Sequence, residues 1–221
     1  MMTIHHHPSD ELLVDYASGA LGEAWSLAIA THLALCPSCR QNLSRIEALG
    51  GDLLDAASPE PVNDNLFDGV MVCLDDADAV TPYVPATAPQ DPVQYVVPQP
   101  LRGYLGGDVD RLPWQRLGLG AQQLLIPIDG EKVKARLLRV PAGRPVPEHS
   151  HGGLELTLVL SGAFSDKTGT YSRGDLQEAD ENLEHQPHAA PGEDCICLAL
   201  TDAPLRFRSL AVRMVQPMLG I

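Results

Sequence analysis

No stretch of this 221-residue chain holds about 18 consecutive apolar residues, the minimum a helix needs to cross a bilayer, so no transmembrane segment is expected. Cations are also scarce. Fifteen lysines and arginines face 29 acidic residues, a formal net charge of −14, and they form no basic stripe. Gripping a phosphate backbone needs clustered Lys and Arg, so direct nucleic-acid binding is not expected. An acidic surface instead favours a basic protein partner, through steering rather than fold. The first ten residues lack the apolar core of a secretory signal. Cysteine is sparse and odd in number, five in all, which argues against a disulfide framework. It favours thiolate or metal chemistry in a reducing compartment, here expected to be the cytoplasm. No internal repeat relates the two halves.

Against these absences, 44% of the residues are hydrophobic, enough for one or two cored domains. The run His32-Leu33-Ala34-Leu35-Cys36-Pro37-Ser38-Cys39 is the most informative stretch. Residues four apart share a helix face, so His32 and Cys36 can aim at one point, and the turn at Pro37 brings Cys39 back to it. Borderline and soft donors converging in this way favour zinc. A fourth donor is available upstream in His5-His6-His7, with His7 the first choice and His6 the second. A thioredoxin-like redox role for the CxxC is disfavoured because no strand precedes it.

Residues 9 to 79 read as helical. Ser9 is an N-cap with Asp10 and Glu11 in the first turn, and Ser18-Gly19 closes that helix. A second helix spans roughly 22–35, a third starts at Pro37, and a fourth spans roughly 65–76. Such a bundle is small, which makes a metal staple physically useful. The fourth helix carries Leu66, Phe67, Val70, Met71 and Leu74, an apolar set suited to contacting a partner. Between Thr81 and Pro100 six prolines interrupt any helix and indicate a stiff, extended linker.

Beyond about Tyr104 the texture turns to β. Short runs recur at 122–128, 133–140, 155–160, 195–200 and 205–210, punctuated by Gly and Pro, as in a sandwich or barrel. Within them lies Gly143, five residues, His149-Ser150-His151, three residues, Glu155, six residues, Gly162. Histidines at i and i+2 on an extended strand share a face, and Glu155 has the same parity. This spacing resembles the first motif of the cupin family. The second cupin motif, started at Gly174, places Asp180 and Asn182 where proline and glycine are usual, then lands on His185 rather than His188. Cys195 and Cys197 share one strand face and are either packing residues or a redox-active pair.

A helical H-x3-C-x2-C segment followed by a cupin resembles the ChrR-type zinc-binding anti-sigma factors. The likeness extends through the opening histidines, Ser9-Asp10-Glu11-Leu12-Leu13, and Ala30-Thr31-His32-Leu33 leading into the cysteine pair. The resemblance implies an α plus all-β fold, with a zinc-stapled helical domain over 1–80, a Pro-rich linker over 81–103 and a cupin β-barrel (jelly-roll) domain over 104–221. It implies zinc at His7, His32, Cys36 and Cys39. At His149, His151, Glu155 and His185 it implies zinc or another divalent ion (Mn, Fe or Ni). The implied function is not enzymatic. The protein would bind an extracytoplasmic-function (ECF) sigma factor in a 1:1 heterodimer and block its use by RNA polymerase. The cupin would sense oxidative stress such as singlet oxygen or peroxides and trigger release. The competing expectation is a cupin metalloenzyme, dioxygenase- or isomerase-like, with a zinc-binding N-terminal module.

Overall fold

Ser9 caps helix α1 (Asp10–Ala17), its hydroxyl accepting from the Leu12 amide at 3.4 Å, with Asp10 and Glu11 at the positive end of the helix dipole. Gly19 then takes a left-handed conformation (φ +71°) that ends the turn. Helix α2 (Glu23–Leu35) follows and buries Ala24, Leu27, Ala28, Ile29, Thr31, His32 and Leu33. These positions occupy most of its circumference, so α2 is a core helix rather than an amphipathic surface helix. Helix α3 (Pro37–Asp55) opens on proline, which is tolerated where no intrahelical N–H bond is due, and buries only Cys39. Helix α4 is Leu66–Asp75.

The computed structural model describes residues 3–63, 65–75, 95–118, 120–128, 132–209, 214 and 216. Most of the proline-rich stretch expected as a linker, and the end of the 205–210 run, lie outside these residues. Two compact units are defined. One joins residues 1–48 with 95–221, and the other is residues 49–94.

One element within the first unit was not expected. Pro98 and Pro100 read as helix breakers, yet helix α5 runs Gln99–Leu105, with Pro98 as N-cap and Pro100 in the first turn. Proline is excluded from helix interiors but not from their starts. Leu101 and Val97 are fully buried, and the Tyr104 hydroxyl donates to Glu23 of α2 at 2.7 Å.

Among the described residues the β half is entirely antiparallel. It comprises β1 (Gln115–Gly118), β2 (Ala121–Ile126), β3 (Lys134–Val140), β4 (His149–Ser150), β5 (Glu155–Ser161) and β6 (Ala163–Asp166). Then come β7 (Gly169–Ser172), β8 (Leu176–Ala179), β9 (Glu184–His185), β10 (His188–Ala189), β11 (Cys195–Thr201) and β12 (Arg206–Phe207). A six-stranded sheet has the order β1-β2-β3-β11-β5-β8, and two three-stranded sheets, β10-β6-β7 and β12-β4-β9, complete the barrel.

Strand parity divides the core. Leu156, Leu158 and Leu160 of β5, with Ile196, Leu198 and Leu200 of β11, form one apolar cluster with Leu13, Leu27, Ile29 and Leu33 of the helices. The opposite face, with Val159, Phe164, Tyr171, Cys195 and Cys197, forms a smaller cluster inside the barrel. Every residue of β11 is buried because both of its faces are covered, which is why that strand reads as a continuous apolar run rather than an alternation.

Candidate metal centres

The first centre forms where three local events coincide. Helix α2 ends at His32–Cys36, with the Cys36 amide donating to the His32 carbonyl at 2.9 Å. Cys36 is extended (φ −105°, ψ 103°), which lets Pro37 start a new helix and places Cys39 in its first turn. The Cys39 amide points at Cys36 Sγ, 3.4 Å away. The segment before Ser9 delivers His7. Its Nδ1 lies 3.4 Å from Cys36 Sγ and 3.3 Å from Cys39 Sγ, while His32 Nε2 lies 3.3 Å from Cys39 Sγ. One donor atom from each of the four residues falls within a sphere where all are within 4.8 Å of one another.

Metal–sulfur and metal–nitrogen bonds of about 2.3 and 2.1 Å in a tetrahedron put N and S about 3.6 Å apart, so the donor set fits a four-coordinate ion. His5 and His6 do not join it. The electrostatics agree with the geometry. Burial, reinforced by His7, lowers the His32 imidazole to about 4, against opposing contributions from the Gly174 backbone and the Asp175 carboxylate, so the ring is neutral and able to ligate. Burial and the Cys36 hydrogen bond raise the Cys39 thiol to about 12, a penalty on the thiolate that a bound cation reverses.

The second centre is inside the barrel. His149 on β4 stands directly across from His185 on β9, and His151 follows β4. His185 Nε2 lies 3.2 Å from both His149 Nε2 and His151 Nε2, close to the spacing of about 3.3 Å that imidazoles have around a tetrahedral ion. All three are at most 3% exposed. Behind each ring an oxygen faces Nδ1: the Pro147 carbonyl at 2.8 Å for His149, Asp166 Oδ2 at 2.5 Å for His185, and Glu155 Oε2 at 3.5 Å for His151. The hydrogen bonds at His149 and His185 favour the proton on Nδ1, while His151 Nδ1 has the Glu155 carboxylate near it without a hydrogen bond; the three Nε2 atoms converge, an arrangement that calls for a cation between them.

Glu155, expected as the fourth ligand, therefore stands behind His151 rather than within the triad, where it also accepts from Thr157 Oγ1 at 3.0 Å. Burial would raise its pKa, but His151, His149 and Thr157 outweigh burial and hold it below the usual range. Asp166 was not foreseen. Burial works against its charge, yet bonds from Thr168, Gln177 and His185 lower it to about 2. In the sequence it is one more polar residue at a hairpin turn, and nothing there links it to a histidine 19 positions later. His188 is exposed and apart from the triad. At the second-motif proline position, Asp180 forms an Asx turn instead, accepting from the Asn182 amide at 2.9 Å.

Cys195 and Cys197 point inward from β11, their sulfurs 3.4 Å apart. With Leu138, Val140 and Phe164 they wall a chamber of about 80 Å³ beside His149 and His185. The hydrogen bond from Cys195, together with burial, raises the Cys197 thiol well above its ordinary value. Of the expected contact residues on α4, Leu66 (55%), Phe67 (71%), Val70 (51%), Met71 (42%) and Leu74 (62%) are all exposed.

A cupin barrel holding three convergent imidazoles, combined with a helical segment holding a two-sulfur, two-nitrogen cluster, defines a two-centre cupin protein. The comparisons give that class a family. Residues 104–203 match the profile of the ChrR cupin-like domain. The whole chain is 46% identical, over 220 residues and the full length of both proteins, to the anti-sigma-E factor ChrR of Cereibacter sphaeroides. The fold matches the crystal structure of Rhodobacter sphaeroides SigE in complex with the anti-sigma ChrR, with a TM-score of 0.76 and 44% identity over 90% of this chain and all of that one. The chain belongs to the ChrR family.

Proposed function

We propose that this protein is an anti-sigma factor. It binds an ECF-type sigma factor one to one and withholds it from RNA polymerase, with no direct contact to nucleic acid. The observation that carries this reading is the end-to-end correspondence with ChrR, a protein described as an anti-sigma-E factor and solved in complex with SigE. The placement is cytoplasmic, where such a partner works; no helix among the described residues is long and apolar enough to cross a membrane. Residues 1–80 are the sigma-binding region and 104–221 the sensory cupin; the C-terminal part of the linker expected over 81–103 is instead core structure, since Val97 and Leu101 are buried.

Capture uses helix-in-groove recognition. The exposed face of α4 (Leu66, Phe67, Val70, Met71, Leu74) supplies apolar anchors, and the acidic balance steers a basic partner. His7, His32, Cys36 and Cys39 hold zinc, since two sulfurs and two imidazole nitrogens suit that ion. A bound ion there ties the N-terminal segment to the α2–α3 junction. The triad, with Glu155 beside it, holds zinc, manganese, iron or nickel. The cupin acts as a sensor rather than an enzyme. Both carboxylates at the triad are engaged rather than standing free as an acid and a base: Asp166 is bonded to the His185 imidazole, and Glu155 accepts from Thr157 beside His151. Oxidative stress, from singlet oxygen or peroxides, disturbs this centre or the Cys195–Cys197 pair beside it and shifts the sigma-bound state.

The test is copurification and titration with an ECF-type sigma factor from the same organism. A stable 1:1 complex is expected, weakened at least about thirtyfold by Phe67→Asp or Met71→Asp, the scale of a central interface anchor. A protein that binds no sigma factor with both centres loaded, or that turns over a substrate at the triad, refutes the reading.

A further inference from the structure

Residues 4–9 reach the first metal cluster across the edge of the cupin, and the contacts that seat them are specific. Strand β8 is an edge strand of the six-stranded sheet. The Asp175 carboxylate just before it is 1% exposed and accepts from the His5 amide at 2.7 Å and the His6 amide at 2.8 Å. The Leu176 amide of β8 donates to the His6 carbonyl at 3.1 Å, and the Ser9 amide donates to Glu178 Oε1 at 2.6 Å. Ile4 fills the space over Gly174, where a Cβ would lie 2.5 Å from Ile4 Cδ1. The segment therefore covers an edge strand, and the next residue along it is the His7 of the first cluster.

The same strand and hairpin lead to the second cluster. Gln177, between Leu176 and Glu178, donates to Asp166 Oδ2 at 2.9 Å, and Asp166 Oδ2 is the oxygen behind His185. The His6 ring packs on Tyr171, centroids 4.2 Å apart. The Tyr171 hydroxyl bonds Thr168 Oγ1 at 2.9 Å, and Thr168 Oγ1 donates to Asp166 Oδ1 at 2.5 Å. Two contiguous routes, one along β8 and one through Tyr171, thus join the strap to a single carboxylate that orients a ligand of the cupin triad.

We propose that residues 4–9 act as a docked strap that couples the two centres, so that an ion held by His149, His151 and His185 slows loss of the ion held by His7, His32, Cys36 and Cys39. The proposal rests on both clusters being metal centres. Asp166, seated by His185, fixes Gln177 and Thr168; these fix β8 and Tyr171, on which the strap lies. Release of the strap withdraws His7 from the first cluster. Linkage makes the effect reciprocal: stripping the first centre also weakens the second. The two states are the strap docked and the strap free, the discrete alternative that a coupling path requires.

The test uses the full-length protein without a sigma factor, loaded with cobalt(II). Only the first centre has thiolate donors, so the thiolate-to-cobalt charge-transfer absorption reports that centre alone, and its decay after addition of a chelator gives the release rate. His185→Ala is expected to accelerate release about tenfold, within the usual range of allosteric couplings. In an Asp175→Asn background, where the strap is already loosened, the same substitution is expected to change the rate less than about twofold. Asp166→Asn with Ile4→Ala forms a milder cycle should either variant fail to fold. A release rate indifferent to the cupin substitution, or an equal acceleration in both backgrounds, overturns the strap as the coupling element and leaves the sigma-capture reading standing. Absence of the charge-transfer band refutes the first centre itself.

Discussion

Removal of the ion from the first centre is expected to loosen the N-terminal segment without unfolding α2. Zinc-finger peptides rely on their metal for folding, with apparent binding free energies of about 10–16 kcal/mol, because they have little core of their own. Here the helices have one. Leu13, Leu27, Ile29 and Leu33 are each at most 6% exposed and pack in one cluster with Leu156, Leu158, Leu198 and Leu200 of the sheet. Full burial of such a side chain contributes about 1.5–3 kcal/mol, so these four contribute about 6–12 kcal/mol, an upper figure since a compact unfolded chain already hides some of that surface. None of it depends on a metal. Residues 5–9 and the first turn of α3 bury only Pro8 and Cys39, and no large aliphatic side chain. Amide hydrogen exchange followed by mass spectrometry, with and without chelator, separates the two cases. Peptides covering residues 3–9 and 36–42 are expected to exchange at least about tenfold faster in the metal-free protein, while those covering Ala24–Ala30 remain as protected as β11. Exchange of α2 at the rate of an unstructured peptide, with β11 still protected, would show that the ion rather than the sheet holds the helix, and the core argument would fall.

Three further outcomes follow from particular contacts. Asp166→Asn removes the charged acceptor behind His185 and is expected to weaken metal binding at the triad by about 10–100-fold, with the thiolate absorption of a cobalt-loaded first centre retained; unchanged affinity at the triad refutes the orienting role. Gly162→Ala places a Cβ 2.6 Å from the Asp194 carbonyl oxygen at φ +66°, a clash with backbone added to left-handed strain of about 1–3 kcal/mol. Its melting temperature should fall by several degrees more than that of Gly118→Ala, where φ is also positive but nothing lies within 4 Å; equal losses would mean the crowding is relieved. Metal uptake at the first centre should strengthen with pH. Burial and Cys36 hold the Cys39 thiol at about 12, so it is protonated near neutrality and must release that proton to ligate. The apparent affinity is then expected to rise at least about tenfold per pH unit between about pH 6 and 8, each unit being worth about 1.4 kcal/mol per proton released, and a flat profile in calorimetric titrations contradicts the protonated starting state.

Much of this was legible because the ligand residues obey local periodicities. His32 and Cys36 are one helical turn apart, and His149 and His151 are one strand repeat apart, so their convergence follows from the backbone period alone. Helix starts were equally local: Ser9 caps α1, and Pro37 opens α3. Helix α5 is hidden in the sequence because proline reads as a breaker unless its place at a helix start is known, and because Val97 and Leu101 acquire their burial only from the folded core. The oxygens behind the imidazoles were illegible for a different reason. Asp166 meets His185, and Asp175 meets His5 and His6, across separations of 19 and about 170 residues that no periodicity records. Glu155 shows the limit of parity: it shares the strand face of the histidines, as its spacing implies, yet parity fixes a face and not the atom a carboxylate reaches.

The two centres differ in what keeps their donors together when no cation is present. At the triad His149 and His185 are oriented from behind by hydrogen bonds to oxygens of the barrel, and all three imidazoles are buried. The geometry is preformed, and ion binding there mainly relieves repulsion among lone pairs. At the first cluster His32, Cys36 and Cys39 are set by one helix end and one helix start, but His7 is exposed and belongs to a segment seated by hydrogen bonds to Asp175, Leu176 and Glu178. Its fourth donor is therefore the one donor of that cluster held by a segment outside the helices that set the other three. A perturbation inside the barrel that shifts β8 alters the first centre through this donor before it reaches the three buried in the core. An exposed histidine on a short segment, rather than the buried cysteine pair, is the weakest link of the cluster.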